Sequence, residues 1–337
     1  MPRKSVVRER VLHYLTEVGG PVPQSSIHRV LGLSKSRVSE VLNDLEDEGL
    51  IRRFSLGNQF LVEAVAEAPR SEHLPKTLKV GVVWSSEYPF LTPYAKRLAR
   101  EGIKLKLVVF GSAVDAVKSL IMGEIDLALA PLITELHFYA SFRNIKVIGG
   151  GAYGGASVLV RRDGGGEDAI GSSYLSTMDV LRASALMKGE VDAGDTLYFR
   201  RPSEAVKLVR KGEVRYMSVW HPLTKELIAQ GMKPLADLEQ YGIKYCCTLA
   251  ASSALPPHVR RFLRRTYSEA LDDFIKSPGR WFEWYSLQIG IGVDVVKDGW
   301  RHYKINKHIT RRDVIKYLRS LGYSVPEPAI VAEAVDS

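Results

Sequence analysis

Cysteine is almost absent. The 337 residues hold two, Cys246 and Cys247, adjacent in a run (KYCCTLA) that reads as a buried strand. So few thiols exclude a disulfide framework, and neighbouring cysteines rarely bridge each other because the geometry is strained. Two small buried residues is the favoured reading. A metal or redox site needs further ligands at a recognisable spacing, and the sequence shows none. The eight histidines are scattered, without a ligand-like pair on one helix face. No apolar run reaches the roughly 18 residues of a membrane span, so no membrane partner is expected. The N-terminus, MPRKSVVRERVL, carries charges where a signal peptide needs an apolar core, which points to the cytoplasm. No G-x-S-x-G, H-E-x-x-H or P-loop occurs, and Glu87, Asp195 and His221 form no local constellation. No catalytic residue is therefore assigned, and neither a metal nor a cofactor is expected.

What is present suits a soluble globular protein of two or three domains: 45% hydrophobic and 25% charged residues. The net charge of +9 favours an anionic partner without choosing between nucleic acid and a membrane surface.

The most informative stretch is Leu31 to Arg53, LGLSKSRVSEVLNDLEDEGLIRR. Ser34 is a good helix N-cap. After it Val38, Val41, Leu42 and Leu45 recur at three and four residues, one apolar stripe of a helix that Gly49 ends. The other face carries Lys35, Ser36, Arg37, Ser39, Glu40 and Asn43, and Arg52 and Arg53 follow at once. Upstream, residues 5 to 18 predict an amphipathic helix with Val7, Val11, Leu15 and Val18 inward. A short second helix places Ile27, Val30 and Leu31 inward, with Ser25 or Ser26 as its cap. Leu50 to Phe54 and Gln59 to Val62 read as two strands around Ser55, Leu56, Gly57 and Asn58. The stretch resembles the recognition helix and first wing strand of winged helix-turn-helix transcription regulators.

That resemblance implies double-stranded DNA as partner, with Lys35, Ser36, Arg37, Ser39, Glu40, Asn43, Arg52, Arg53 and Asn58 as candidate contacts. Arg37 suits guanine, and Asn43 adenine or a phosphate. Glu40 accepts from cytosine or pairs with Arg37; both readings stand. A winged helix used only for protein contacts is the competing reading. Nine basic and seven acidic residues lie between Arg3 and Val62, so bulk charge decides nothing, whereas Lys35 and Arg37 open the third helix and the acids close it.

Residues 64–76, with two prolines and no periodicity, read as a linker. From Thr77 strands and helices alternate, the pattern of an α/β domain with a largely parallel sheet. Ala116 to Pro131, AVKSLIMGEIDLALAP, is similar to a segment of type 2 periplasmic binding protein domains, and Ser203 to Val219 echoes its helix–Gly–acid–strand order. The expected architecture is α/β: an N-terminal winged helix-turn-helix domain at 1–63, the linker at 64–76, and a two-lobed domain at 77–323. Lobe one takes 77–162 and 244–323, lobe two 163–243, and 324–337 form a loose tail. The resemblance implies a small-molecule effector held between the lobes. The same fold also serves enzymes, such as the pyrimidine synthase of thiamine biosynthesis and chorismate dehydratase, so a biosynthetic enzyme is the alternative.

Ligands of open α/β sheets bind beyond the carboxyl ends of strands. That rule selects Trp84, Ser85, Ser86, Gly111, Ser112, Pro131, Tyr153, Ser173, Thr177 and Trp220 as ligand-binding candidates. The serines at helix starts suit an anion or carboxylate, and the aromatics a flat ligand. Gly149 to Gly154 (GGGAYG) satisfies G-x-G-x-x-G, but a strand pattern follows where a dinucleotide site needs a helix. Arg260 to Arg319 hold fourteen basic and seven acidic residues, a solvated helical surface or a second face toward DNA. The combined expectation is a ligand-responsive transcription regulator, dimeric because two-fold operators need paired half-sites.

Overall fold

The structure is a computed structural model that describes residues 2–18, 20–47, 50–56, 59–64, 74–321 and 327–336. The chain divides into two compact units, Met1–Leu74 and Pro75–Ser337.

The first unit runs α1 (Pro2–Val18), β1 (Val22–Pro23), α2 (Gln24–Leu31), α3 (Lys35–Asp47), β2 (Ile51–Leu56) and β3 (Gln59–Ala64). The strands form one antiparallel sheet in the order β1-β3-β2. Gly32 ends α2 in the left-handed conformation at φ 62°, and Ser34 Oγ accepts from Arg37 N at 3.3 Å, so a turn of three residues redirects the chain into α3. Val11, Leu15, Ile27, Val38, Val41, Leu42, Leu45, Ile51 and Val62 make the core. Two inward expectations fail: Val18 and Val30 are exposed. Each lies at an edge of its apolar stripe, where spacing alone places a residue inside and three short helices leave nothing to cover it. Ser25 and Ser26 do not cap α2, which starts at Gln24 after Pro23. The hairpin tip with Asn58, Gly49 and most of the 64–76 segment fall outside the described residues.

The second unit opens with β4 (Thr77–Val83), α4 (Leu91–Arg100), β5 (Lys104–Phe110), α5 (Ala113–Ile121), β6 (Leu127–Pro131), α6 (Leu132–Phe142), β7 (Ile145–Gly149), β8 (Gly151–Gly154) and β9 (Ala156–Arg161). It continues through β10 (Ala169–Ser173), α7 (Thr177–Met187), β11 (Asp195–Phe199), α8 (Pro202–Arg210), β12 (Tyr216–Trp220), α9 (Leu223–Ala229), β13 (Met232–Asp237) and β14 (Cys247–Ser252). It closes with α10 (Pro257–Lys276), α11 (Phe282–Ile289), α12 (Val293–Trp300), β15 (Tyr303–Asn306), α13 (Arg311–Ser320) and α14 (Pro328–Val331). Two five-stranded sheets result. Lobe one holds β5-β4-β6-β14-β7 and lobe two β11-β10-β12-β9-β13; β8 and β15 form a small ribbon. Within each sheet three strands joined through helices pair in parallel, β4 with β5 and β6, and β10 with β11 and β12, whereas β7 and β13 pair antiparallel with β14 and β9. The chain's return through β14 is antiparallel to both neighbours. This is a mixed α/β fold with the two-lobed architecture of periplasmic binding proteins.

Two boundaries differ from the expected ones. Lobe one does not extend to Arg162, because β9 pairs with β12 and β13 in the second sheet. Alternation identifies a strand but not the sheet that receives it. The first crossover is therefore at Gly154–Gly155, with φ of 94° and 63°, where a Cβ on Gly155 would overlap the Tyr303 ring. The glycine-rich run is thus a seam for β15, not a phosphate cradle. Residues 327–336 are not a loose tail either. Val331, Ala332, Ala334 and Val335 are buried, Val335 bridges to Val147, and Asp336 pairs with the buried Arg260 at 2.7 Å. These small apolar residues cover the end of lobe one beside α6 and α13.

Candidate ligand cleft and nucleic-acid face

Where strands of both lobes end, the structure leaves a cavity of about 30 Å³, space on the scale of one water molecule. From lobe one it is lined by the segment after β4, the start of α5, Pro131 and the start of β14. From lobe two it is lined by Ser173, the first turn of α7 and Trp220. Five of the ten expected ligand residues meet here: Ser85, Pro131, Ser173, Thr177 and Trp220. Ser176 caps α7 through Met178 N at 3.1 Å and aims that helix start at the cavity.

The other five lie elsewhere. Trp84 offers its carbonyl to the Trp220 indole N–H at 2.8 Å, a clasp between lobes. Ser86 Oγ lies 2.7 Å from His221 Nδ1 and its amide donates to the His221 carbonyl. Ser112 caps α5 through Asp115 N, and Gly111 lies against Arg200 and Arg201. Tyr153 sits on β8 opposite Lys304, away from the cavity. Each was chosen for following a strand, but strand ends also cap helices and carry the crossovers. Trp220 stacks on Phe199, with ring centroids 6.1 Å apart, so one of its faces is already covered.

The strand-end rule also picks Glu87, which does line the cavity, but the sequence reading missed its neighbours Tyr88, Cys246 and Cys247. Glu87 Oε2 lies 3.5 Å from Cys247 Sγ and 4.0 Å from Cys246 Sγ; the sulfurs are 3.7 Å apart. Tyr88 Oη lies 3.1 Å from Cys247 Sγ. All four groups are buried, and Glu87 Oε1 has no hydrogen-bond partner among the described residues. Burial pushes the Glu87 carboxyl well above the usual carboxylate range and raises Cys247; a hydrogen bond from Cys247 makes Cys246 the more acidic thiol. The only signal in the sequence was the rarity of the CC pair. Its partner is 159 residues away, beyond any spacing rule.

His221 follows β12 at the base of the cleft and is 4% exposed. Burial lowers its pKa to about 4, so the ring is neutral at pH 7. A second, larger groove of about 650 Å³ opens beside it, lined by Gly155, Lys225, Asp237, Glu239, Asp298 and Lys304. Two of its cations are already used: Lys225 pairs with Asp298 at 2.6 Å and Lys304 with Glu239 at 2.6 Å, while Arg301 also lines the groove.

On α3 the apolar stripe is fully covered while Lys35, Ser36, Glu40 and Asn43 are exposed and Arg37 and Ser39 half-exposed. Arg37 donates to Glu40 at 3.0 Å, the plainer of the two readings of that pair. Asn43 and Arg53 are turned on each other: Arg53 donates to Asn43 Oδ1 at 2.7 Å and to Glu46 at 2.7 Å, tying α3 to β2. Arg52 pairs with Glu63 across the hairpin. The basic stretch from Arg260 to Arg319 is also partly spent, on Asp336 by Arg260 and on Asp272 by Lys307.

Residues 7–65 match a family described as a domain of unknown function, DUF7343. No curated protein matches the chain. Among solved structures, the alkanesulfonate-binding protein SsuA of Xanthomonas axonopodis pv. citri, bound to MOPS, is similar over 77% of this chain and 98% of its own. The TM-score is 0.61 and the identity 19%. The periplasmic aliphatic sulphonate binding protein SsuA of Escherichia coli covers 74% and 86%, with a TM-score of 0.59 at 17% identity. The ligand-binding component of an ABC-type import system from Staphylococcus aureus, with zinc bound, covers 73% and 91%, with a TM-score of 0.62 at 16% identity. At these identities the likeness is one of fold. No helix among the described residues is long and apolar enough to cross a membrane.

Proposed function

We propose that this protein is a cytoplasmic, ligand-responsive DNA-binding regulator, in which a winged helix-turn-helix head reads duplex DNA and a binding-protein fold holds a small effector between its lobes. One observation carries the DNA reading. After the Gly32 turn, α3 buries Val38, Val41, Leu42 and Leu45 completely and keeps Lys35, Ser36 and Ser39 at its accessible start. A helix so presented offers its N-terminal side chains to a major groove, and in this reading the hairpin β2–β3 is the wing. Lys35 and Ser36 are the primary contacts, and Arg37 joins them by exchanging Glu40 for a base or phosphate. Arg53 and Asn43 brace the helix against the wing.

The effector site is the closed cleft. Its volume admits nothing larger than about a water or an ion, so an organic effector enters only when the lobes open. An effector regulates only if it binds the closed and open states with different affinity. Two copies of the head on a two-fold operator make the active form a dimer.

Footprinting over genomic fragments tests the reading. One enriched operator is expected, and Lys35→Ala with Arg37→Ala should weaken it by about 100-fold, since a base contact contributes roughly 1–3 kcal/mol. Equal, sequence-blind binding by the wild type and the double variant would refute it.

A further inference from the structure

We propose that Glu87, Cys246 and Cys247 form a binding site for a thiophilic divalent cation of the Zn(II) type, held inside the cleft between the lobes. This names the ligand class of the cleft already described, and rests on that cleft being the effector site rather than on DNA binding.

The geometry is that of three corners of a tetrahedron. With Zn–S about 2.3 Å and Zn–O about 2.0–2.2 Å, a tetrahedral site sets its sulfurs about 3.8 Å apart and each sulfur about 3.5–3.7 Å from the oxygen. The observed separations are 3.7 Å between the sulfurs, and 3.5 and 4.0 Å from Glu87 Oε2 to Cys247 and Cys246. A vicinal disulfide needs its sulfurs at about 2.05 Å, far closer than this.

The chemistry of the lining agrees. The cavity carries a carboxyl, two thiols and hydroxyls, and no Lys or Arg among the described residues. In such a place the three groups are either protonated or balanced by a cation. The ion would displace their protons, up to three per site, and form one bond to each. The second, independent sign is Glu87 Oε1, buried with no hydrogen-bond partner among the described residues. Tyr88 Oη, 3.1 Å from Cys247 Sγ, stands as the donor that steadies the thiolate from the outer shell.

The site also reports on the lobes. All three ligands belong to lobe one or to its return crossover. Thr177, from lobe two, donates to the Cys246 carbonyl at 3.4 Å, and Leu132 N donates to the same oxygen at 2.8 Å. An ion that fixes Cys246 therefore fixes the seat on which the first turn of α7 closes.

The test uses the full-length protein, reduced and freed of metal with a chelator. Co(II) is added first as a spectroscopic probe, then Zn(II). One equivalent of Co(II) should give thiolate-to-metal charge-transfer absorption and the strong visible bands of a tetrahedral ion, both lost on adding Zn(II). Cys246→Ser, Cys247→Ser and Glu87→Gln should each weaken Zn(II) by more than about 100-fold. Tyr88→Phe should cost about 10-fold, as outer-shell partners do. His137→Gln, on α6 outside the cavity, should change nothing. Weak octahedral Co(II) spectra, or tight Zn(II) binding that survives in the Cys246→Ser/Cys247→Ser double variant, would overturn the proposal. Operator footprinting of the same double variant keeps the two readings apart, because the head can bind DNA whether or not the cleft takes a metal.

Discussion

Lowering the pH from 7 to 5 should loosen the second unit through one side chain, His221. Its ring is buried at the junction of the lobes, 2.7 Å from Ser86 Oγ, and Gly299 packs against it without a side chain. Burial depresses its pKa from an ordinary 6.5 to about 4. Lys225 and His302 also oppose its charge, and Asp298 favours it. The unfolded chain takes up a proton as the pH falls through 6.5, whereas the folded protein refuses one until about 4. Stability present above pH 6.5 is therefore lost as the pH falls through that window. One pKa unit corresponds to about 1.4 kcal/mol, so the loss is about 2 kcal/mol at pH 5 and approaches about 3 kcal/mol near pH 4.

The total slope is a poor test, because Glu87 and Glu135, raised by burial, hold protons in the folded state and act in the opposite direction above pH 4.5. The difference between wild type and His221→Asn isolates the imidazole. All five tryptophans lie between Trp84 and Trp300, so their fluorescence in urea follows the second unit alone. The gap in stability between wild type and variant should shift by about 2 kcal/mol against the wild type between pH 7 and pH 5. Parallel stability curves for the two proteins would refute the account of a buried, neutral ring at the junction of the lobes.

Two further outcomes follow from the packing. Leu42→Ala empties a site that is 0% exposed and should cost the first unit about 2–5 kcal/mol. Far-UV circular dichroism should show an earlier helix transition while tryptophan fluorescence is unchanged; simultaneous shifts of both signals would mean that the units do not unfold separately. Asp336→Asn weakens the partner of Arg260, which is 8% exposed, and should lower the urea midpoint by an amount equivalent to about 1–3 kcal/mol. A midpoint identical to wild type would restore the loose-tail reading of the C-terminus.

Much of the architecture was legible because its causes are local. The α3 stripe repeats at three and four residues, Ser34 caps it, and a left-handed glycine precedes it; each acts within one or two turns of chain. The alternation of strand and helix from Thr77 likewise follows from periods that neighbouring residues impose on each other. The candidate cleft was half legible. Ser85, Pro131, Ser173, Thr177 and Trp220 sit at strand ends and do line it, but Ser112 sits at a strand end and only caps a helix. The same local position serves either purpose.

What the sequence by itself determined, then, is the order and kind of the elements in the first unit, the alternation of strand and helix from Thr77, and the polar start of α3. Tertiary structure alone decided that β9 joins the second sheet, that Val18 and Val30 stay outside, and that Ala332 and Val335 are pinned to lobe one. It also decided that Arg53 faces Asn43 and Glu46, and that Glu87 meets Cys246 and Cys247. The physical reason is common to all of them. Periodicity and capping are set by bonds a few residues long, whereas burial and side-chain pairing depend on which distant surface arrives, and that is settled only when the sheets close on each other.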